Sequence, residues 1–225
     1  MNDQDFTVVG GGTGALGRSV VDRLLGEGRR IIVPTRQEDA ALPAAVTVIK
    51  CDISDAADVE RFEAEVAGLG RWQALVNASG GFAAGAAHTT SDAKMLLQME
   101  LNFLGQWRLA RAAARAMTAT GGGRIVNVVG RAGVEPAPGQ AAYQVAKTAL
   151  ARLTQVMALE LGDQGITVNA VLPSTLDTTK NRAAFQSADY SRWVPVADVA
   201  AAIGWLLSDE AAIVSGALLP VYGRA

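Results

Sequence analysis

Short apolar runs rich in β-branched residues recur along the chain, separated by longer Ala- and Leu-rich stretches of helical period. The runs FTVVG, RRIIVPT, AVTVIK, WQALVN, GRIVNVV, GITVNAVL and GALLPVY show no polar/apolar alternation. A strand with one wet face would alternate, so continuous apolarity predicts strands covered on both faces, as in a parallel sheet. Each gap is read as long enough for the helical crossover that parallel neighbours require. The predicted fold class is α/β: a single-domain Rossmann fold, with a doubly wound parallel sheet of about seven strands flanked by helices. The loops are marked by GGGTG, SGGFAAG, TGGG and EPAPG.

Composition narrows the picture. With 50% hydrophobic residues in 225, such a chain buries roughly 70% of its unfolded surface around one core. No linker, repeat or low-complexity segment divides it, so residues 1–225 are expected to form one domain. A net charge of −2 without a block of Lys or Arg excludes the electrostatic footprint of a nucleic-acid binder. The N-terminal MNDQDFTVVG is acidic where a signal peptide is basic, and no apolar run approaches the roughly 20 residues a bilayer span needs. A cytoplasmic protein with no membrane partner is expected. Cys51 and His88 are single of their kind, too few for an internal disulfide or a zinc site, so no metal is expected. Cys51 is read as a small apolar residue near a strand end.

The chemistry begins directly after the first strand. Gly11, Gly14 and Gly17 in GGTGALG open a helix, and glycines there let backbone N–H groups approach a pyrophosphate at the positive end of the helix dipole. Thr13 and Leu16 complete this dinucleotide-binding turn. A site for NAD places an acid at the end of the second strand, to hold the adenosine ribose. Here Thr35 occupies that position and Arg36 follows, which favours a 2′-phosphate and hence NADP(H). NAD(H) stays possible if Arg36 points to solvent and Glu38 or Asp39 takes the ribose.

As a set these motifs, with those that follow, resemble the short-chain dehydrogenase/reductase superfamily over nearly the whole chain. In CDISD, Asp52 stands at the family's adenine-contacting position, followed by Ile53. VNASG, which carries Asn77, Ala78, Ser79 and Gly80, is similar to the element after strand four, with Ala78 and Ser79 as departures. Asn102 in ELNFLG matches the family's helix-four asparagine, and LPSTLDT, with Pro173, Thr175 and Leu176, matches the segment after strand six, Ser174 replacing a glycine. The resemblance implies cofactor contacts at these positions.

Catalysis is expected on YQVAK. Tyr143 and Lys147 lie four apart on one helical face, so the ammonium can sit under the phenol, lower its pKa from about 10 and poise it as general acid or base. The resemblance further implies that Lys147 holds the nicotinamide ribose, and that Asn102 holds a water linking Lys147 to solvent. The family's catalytic serine lies thirteen residues before the tyrosine, and that position here is Gly130. Losing one preorganised donor to an oxyanion commonly costs about 10² to 10³ in rate. Either a neighbour or water replaces the serine, or the substrate does not need it, or the protein only binds cofactor.

VLPSTLDTTKNR and ADYSRWVP also resemble quinonoid dihydropteridine reductases and allied bacterial members, over the last third of the chain. That resemblance implies a branch that lacks the serine and reduces a conjugated C=N system, although with NADH as cofactor. The substrate pocket is expected from Gly80 to Ala84, the loop after Gly130 and the segment from Ser174 to Pro195, with Phe82, Phe185, Tyr190 and Trp193 as candidate lining. The reading is an enzyme that moves hydride from NAD(P)H to a small carbonyl or conjugated imine; the alternative is a catalytically weak NADP(H)-binding sensor or assembly protein. A homodimer or homotetramer is implied, paired through helices at about Ser91 to Met117 and Ala141 to Leu161. The Ala-rich face of Ala110, Ala113, Ala114 and Met117 fits such pairing, and fits helix-on-sheet burial equally.

Overall fold

The computed structural model describes residues 5–36 and 42–224. All seven apolar runs are strands: β1 (Asp5–Gly10), β2 (Arg30–Thr35), β3 (Thr47–Lys50), β4 (Arg71–Asn77), β5 (Gly123–Val128), β6 (Ile166–Pro173) and, after two short strands β7 (Leu176–Asp177) and β8 (Val194–Pro195), β9 (Leu218–Val221). They form one sheet in the order β3-β2-β1-β4-β5-β6-β9, with every pair parallel. β7 and β8 pair separately. The helices are α1 (Ala15–Gly26), α2 (Ala56–Ala67), α3 (Asp92–Met99), α4 (Gly105–Ala119), α5 (Ala141–Leu161), α6 (Thr179–Ala184) and α7 (Val196–Leu206). One difference from the expected alternation lies between β2 and β3, where the described residues hold no helix. No helix among the described residues is long and apolar enough to cross a membrane.

The continuous apolarity of the strands is used on both faces. Phe6, Val8, Leu75 and Ile125 pack with Phe62, Leu109 and Met117 beneath α2 and α4. Val9, Val33, Val76 and Val126 pack on the opposite face with Val20, Leu24 and Ile203 of α1 and α7. Trp72 stacks between Phe6 and Phe62, with ring centroids 6.1 and 5.9 Å away. Ala110, Ala113, Ala114 and Met117 belong to this core; helix-on-sheet burial consumes the face that also fitted subunit pairing. Their small side chains let α4 lie close on the sheet, which leaves no part of that face for a second chain.

Chain order reverses direction between β1 and β4, which lie side by side while β2 and β5 run outward. The crevice at the carboxyl ends of these two strands is where an open α/β sheet binds its ligand. The turn that carries Gly11 and Gly14 follows β1, and Ala78 to Gly80 follow β4.

Candidate active site

The turn after β1 is built by close approach. A Cβ on Gly17 would stand 2.0 Å from the carbonyl oxygen of Gly11, and Gly11 itself has φ +77 with its own Cβ position 2.6 Å from Ser79 N. Neither position can take a side chain without moving backbone. Gly14 caps α1 with no side-chain hydrogen bond, and the first turn holds no acid. The leading N–H groups of α1 are thus left for an external anion, so the residues present fit a dinucleotide pyrophosphate. Leu16 is buried behind the turn, and the Thr13 carbonyl accepts a hydrogen bond from Arg18 Nε at 2.8 Å. Thr35 ends β2 and Arg36 is exposed beside it; Glu38 and Asp39 lie outside the described residues. Asp52 accepts from both N and Oγ of Ser54 through one oxygen, at 3.0 and 2.6 Å, which orients its carboxylate at the end of β3. Ile53 follows it and packs against Gly105 at the start of α4.

The floor of the crevice is a polar net threaded through an apolar core. Asn77, the last residue of β4, donates to Asn127 Oδ1 at 2.9 Å and to the Gln106 carbonyl at 3.1 Å. Asn127 donates to Thr154 Oγ at 2.9 Å, tying β5 to α5. Gln106 donates to the Ser79 carbonyl at 2.8 Å, which fixes the loop that follows Ala78. Asn102 clamps the next turn, accepting from Gly81 N at 3.1 Å and donating to the Gly81 carbonyl at 2.8 Å. Its position is set by a π-helical turn, Glu100–Leu104, between α3 and α4. The extra residue in that turn rotates Asn102 toward the crevice. Oδ1 of Asn102 keeps one lone pair beyond the Gly81 bond, which is what remains for the expected water.

Tyr143 and Lys147 rise from the first turns of α5, on one face as the spacing predicted. Lys147 Nζ donates to the Val128 carbonyl at 2.8 Å and lies 3.5 Å from the place a Cβ of Gly80 would take; Asn102 Oδ1 lies 2.6 Å from that same place. The α-carbon of Gly80 is therefore hemmed by both polar groups, which accounts for glycine there. Phe82 packs edge-on against the Tyr143 ring at 5.3 Å. Burial moves the two titrating groups in ways the spacing alone did not anticipate. It pushes the Lys147 ammonium down to about 8 and raises the Tyr143 phenol rather than lowering it. Desolvation is the cause of both shifts, in place of the lowered phenol that the spacing led one to expect.

Gly130 has φ +86, and a Cβ there would lie 3.9 Å from Tyr143 Oη and 3.6 Å from the Pro173 carbonyl. Space is present, but the backbone adopts the left-handed region that side chains disfavour. The segment beyond Pro173 is tied to itself. Val194 N donates to the Thr175 carbonyl at 2.9 Å, and Asn181 Nδ2 to the Leu176 carbonyl at 2.8 Å. Trp193 packs against Phe185 and Tyr190 with centroids 6.3 and 4.7 Å apart, so these three aromatics hold one another. Cys51, buried at the end of β3, has its thiol pushed up to about 12 by burial and is inert.

Gln98, Gln106, Asn127 and Thr154 support the site yet were not singled out from the sequence. The available signal was a polar residue at a core-facing position, as Asn127 is in GRIVNVV and Gln106 is in an Ala-rich helix.

A family model described as short chain dehydrogenase matches residues 5–189. The human 3-oxoacyl-[acyl-carrier-protein] reductase is 31% identical over a match covering 95% of this chain and 94% of that protein. The 3-oxoacyl-[acyl-carrier-protein] reductase MabA of Mycobacterium bovis is 28% identical, covering 96% of this chain and 90% of its own. Among solved structures, a short-chain type dehydrogenase/reductase from Mycobacterium ulcerans aligns with a TM-score of 0.91 at 28% identity, over 99% of this chain and 89% of that one.

Proposed function

Because the chain belongs to the short chain dehydrogenases, we propose that it is an NADPH-dependent reductase of a small, flat carbonyl or conjugated imine, with Tyr143 as proton donor. The observation that carries this reading is the convergence of Tyr143, Lys147 and Asn102 on the opening at Gly80 and Gly130. Bound NADPH would supply the hydride. Tyr143 holds its proton at Oη until the acceptor atom needs it, and its burial beside Phe82 keeps the phenol neutral in the resting site. Lys147, anchored on the Val128 carbonyl, is placed to hold a ribose hydroxyl and to stabilise negative charge on Tyr143 as its proton leaves. Asn102 holds the Gly80–Gly81 turn against which the substrate would rest.

Gly130 supports the imine class. A carbonyl reduced to an alcohol passes through a developing oxyanion that profits from a second hydroxyl donor. A ring nitrogen that ends as N–H needs only the Tyr143 proton. Arg36 beside Thr35, where a ribose-binding acid would stand, supports NADPH over NADH. The residues assigned to the cofactor are Gly11, Thr13, Gly14, Leu16, Gly17, Thr35, Arg36, Asp52, Ile53, Asn77 to Gly80, Tyr143, Lys147, Pro173, Thr175 and Leu176. Pairing of copies is assigned to the apolar residues that α3 and α5 leave exposed, Leu96, Leu97, Val145 and Leu159, and light scattering at micromolar concentration checks it. The deciding assay follows NADPH and NADH consumption with quinonoid dihydropterin, small ketones and a 3-oxoacyl thioester. Tyr143→Phe should keep cofactor binding and lose about 10² to 10⁴ in turnover. Turnover that survives Tyr143→Phe, or faster turnover with NADH, would overturn the corresponding part of the assignment.

A further inference from the structure

The amino-terminal ends of the strands, opposite the catalytic crevice, form an open pocket of about 470 Å³ lined by three arginines from separate elements: Arg29 before β2, Arg71 opening β4 and Arg124 in β5. Glycines of the turn before β5 and the one before β6 form the rest of the wall, so backbone lies bare beside the guanidiniums. The positive charge is only partly answered. Arg124 pairs with Asp209 at 2.9 Å, a carboxylate that is itself fully exposed. Arg29 has Glu27 at 3.5 Å, and Glu27 also serves Arg23 at 2.8 Å. Asp5 is the register neighbour of Arg71 in the sheet, but no ion pair reaches Arg71 among the described residues.

Two of the arginines are held by the pocket's own walls. Arg29 Nη2 donates to the Leu207 carbonyl at 2.9 Å, and Arg71 Nη2 donates to the Gly122 carbonyl at 3.1 Å. Nε of Arg71 is buried without a hydrogen-bond partner, while Nε of Arg29 has only the long Glu27 pair, and the side chains of Arg29 and Arg124 are only 9% and 17% exposed. Burial lowers the pKa of Arg29, and the nearby charge of Arg124 adds to it while Glu27 opposes it. A fold that keeps the three arginines together around an open volume is built for a multiply charged counter-ion, and planar N–H forks match phosphoryl oxygens.

We propose that this cavity is a second ligand site, distinct from the catalytic crevice, which binds a small phosphorylated molecule through its phosphoryl oxygens. The volume is that of an ordinary small-molecule pocket, and the residues that line it are separate from those assigned to catalysis.

The test is calorimetric titration of the whole protein with inorganic pyrophosphate, with and without saturating NADPH, at fixed ionic strength. Expected is binding that persists with NADPH, weakens about tenfold in Arg71→Gln and in Arg124→Gln, and tightens up to about threefold in Asp209→Asn, which removes a competing charge at the mouth. The Asp209 side chain is fully exposed, so that variant reports even where an arginine variant fails to fold. Absence of binding, equal affinity in all three variants, or displacement by NADPH with no response to Asp209→Asn would each overturn the proposal, the last by moving pyrophosphate to the glycine turn.

Discussion

The turn after β1 and the segment from Ser174 to Pro195 are built in opposite ways. In the turn, backbone meets backbone: Gly17 sits where a Cβ would lie 2.0 Å from the Gly11 carbonyl, and buried strands pack on either side. In the segment, side chains hold side chains. Phe185, Tyr190 and Trp193 pack on one another, Arg182 pairs with Asp177 at 2.6 Å and lies over the Tyr190 ring, and α6 is six residues long. Exposed ion pairs of this kind add little to stability, because water screens them. The difference teaches that backbone packing leaves the turn one shape, whereas a segment held by its own side chains depends on few contacts with the rest of the fold, and it is there that the proposed substrate pocket would lie.

That contrast can be broken most severely at Gly17. Gly17→Ala should cost about 3 kcal/mol or more, because backbone has to move before the methyl fits, and both urea denaturation and cofactor binding should report it.

Lys147, between the two regions, should give a pH signature. Burial holds its pKa near 8 against 10.5 when free, so from about pH 8 upward the unfolded chain keeps a proton that the folded chain has released. Stability contributed through this group therefore rises with pH across that window, by at most about 3 kcal/mol; below pH 8 both states are protonated and the cost is constant. Tyr143 and Cys51, whose values are raised, act in the opposite direction at high pH. The difference between the unmodified protein and Lys147→Met, measured by denaturation from pH 7 to 10, cancels both and isolates the lysine.

Gly130→Ser sharpens the comparison at the segment's edge. With φ +86, a serine there should cost about 1 to 2 kcal/mol and bring no gain on simple ketones; a large gain would mark a vacated hydroxyl site. The smallest effect on folding is expected for Trp193→Ala, under about 1 kcal/mol globally because the loss stays within the segment, with KM for substrate raised and kcat little changed.

Much of this was legible along the chain because it depends on periodicity and spacing. The seven strands appear as apolar runs, α5 spans the anticipated 141–161, and a four-residue spacing puts Tyr143 and Lys147 on one face wherever the helix lies. The roles of Gln106 and Asn127 were not legible, since a polar residue in an apolar stretch signals a partner without saying which one. Nor could the sequence separate the two uses of the Ala-rich face of α4, which packing then assigned to the core.

By itself, then, the sequence determined the fold class, the glycine turn after the first strand and the placing of Tyr143 and Lys147 on one helical face, because local geometry turns those patterns directly into placement. Only the tertiary structure decided how the charges behave. Desolvation depends on what long-range packing brings around a group, and it lowered Lys147 and raised Tyr143; the same packing set Gly130 in a backbone conformation unsuited to serine and gathered three arginines distant in the chain around one pocket.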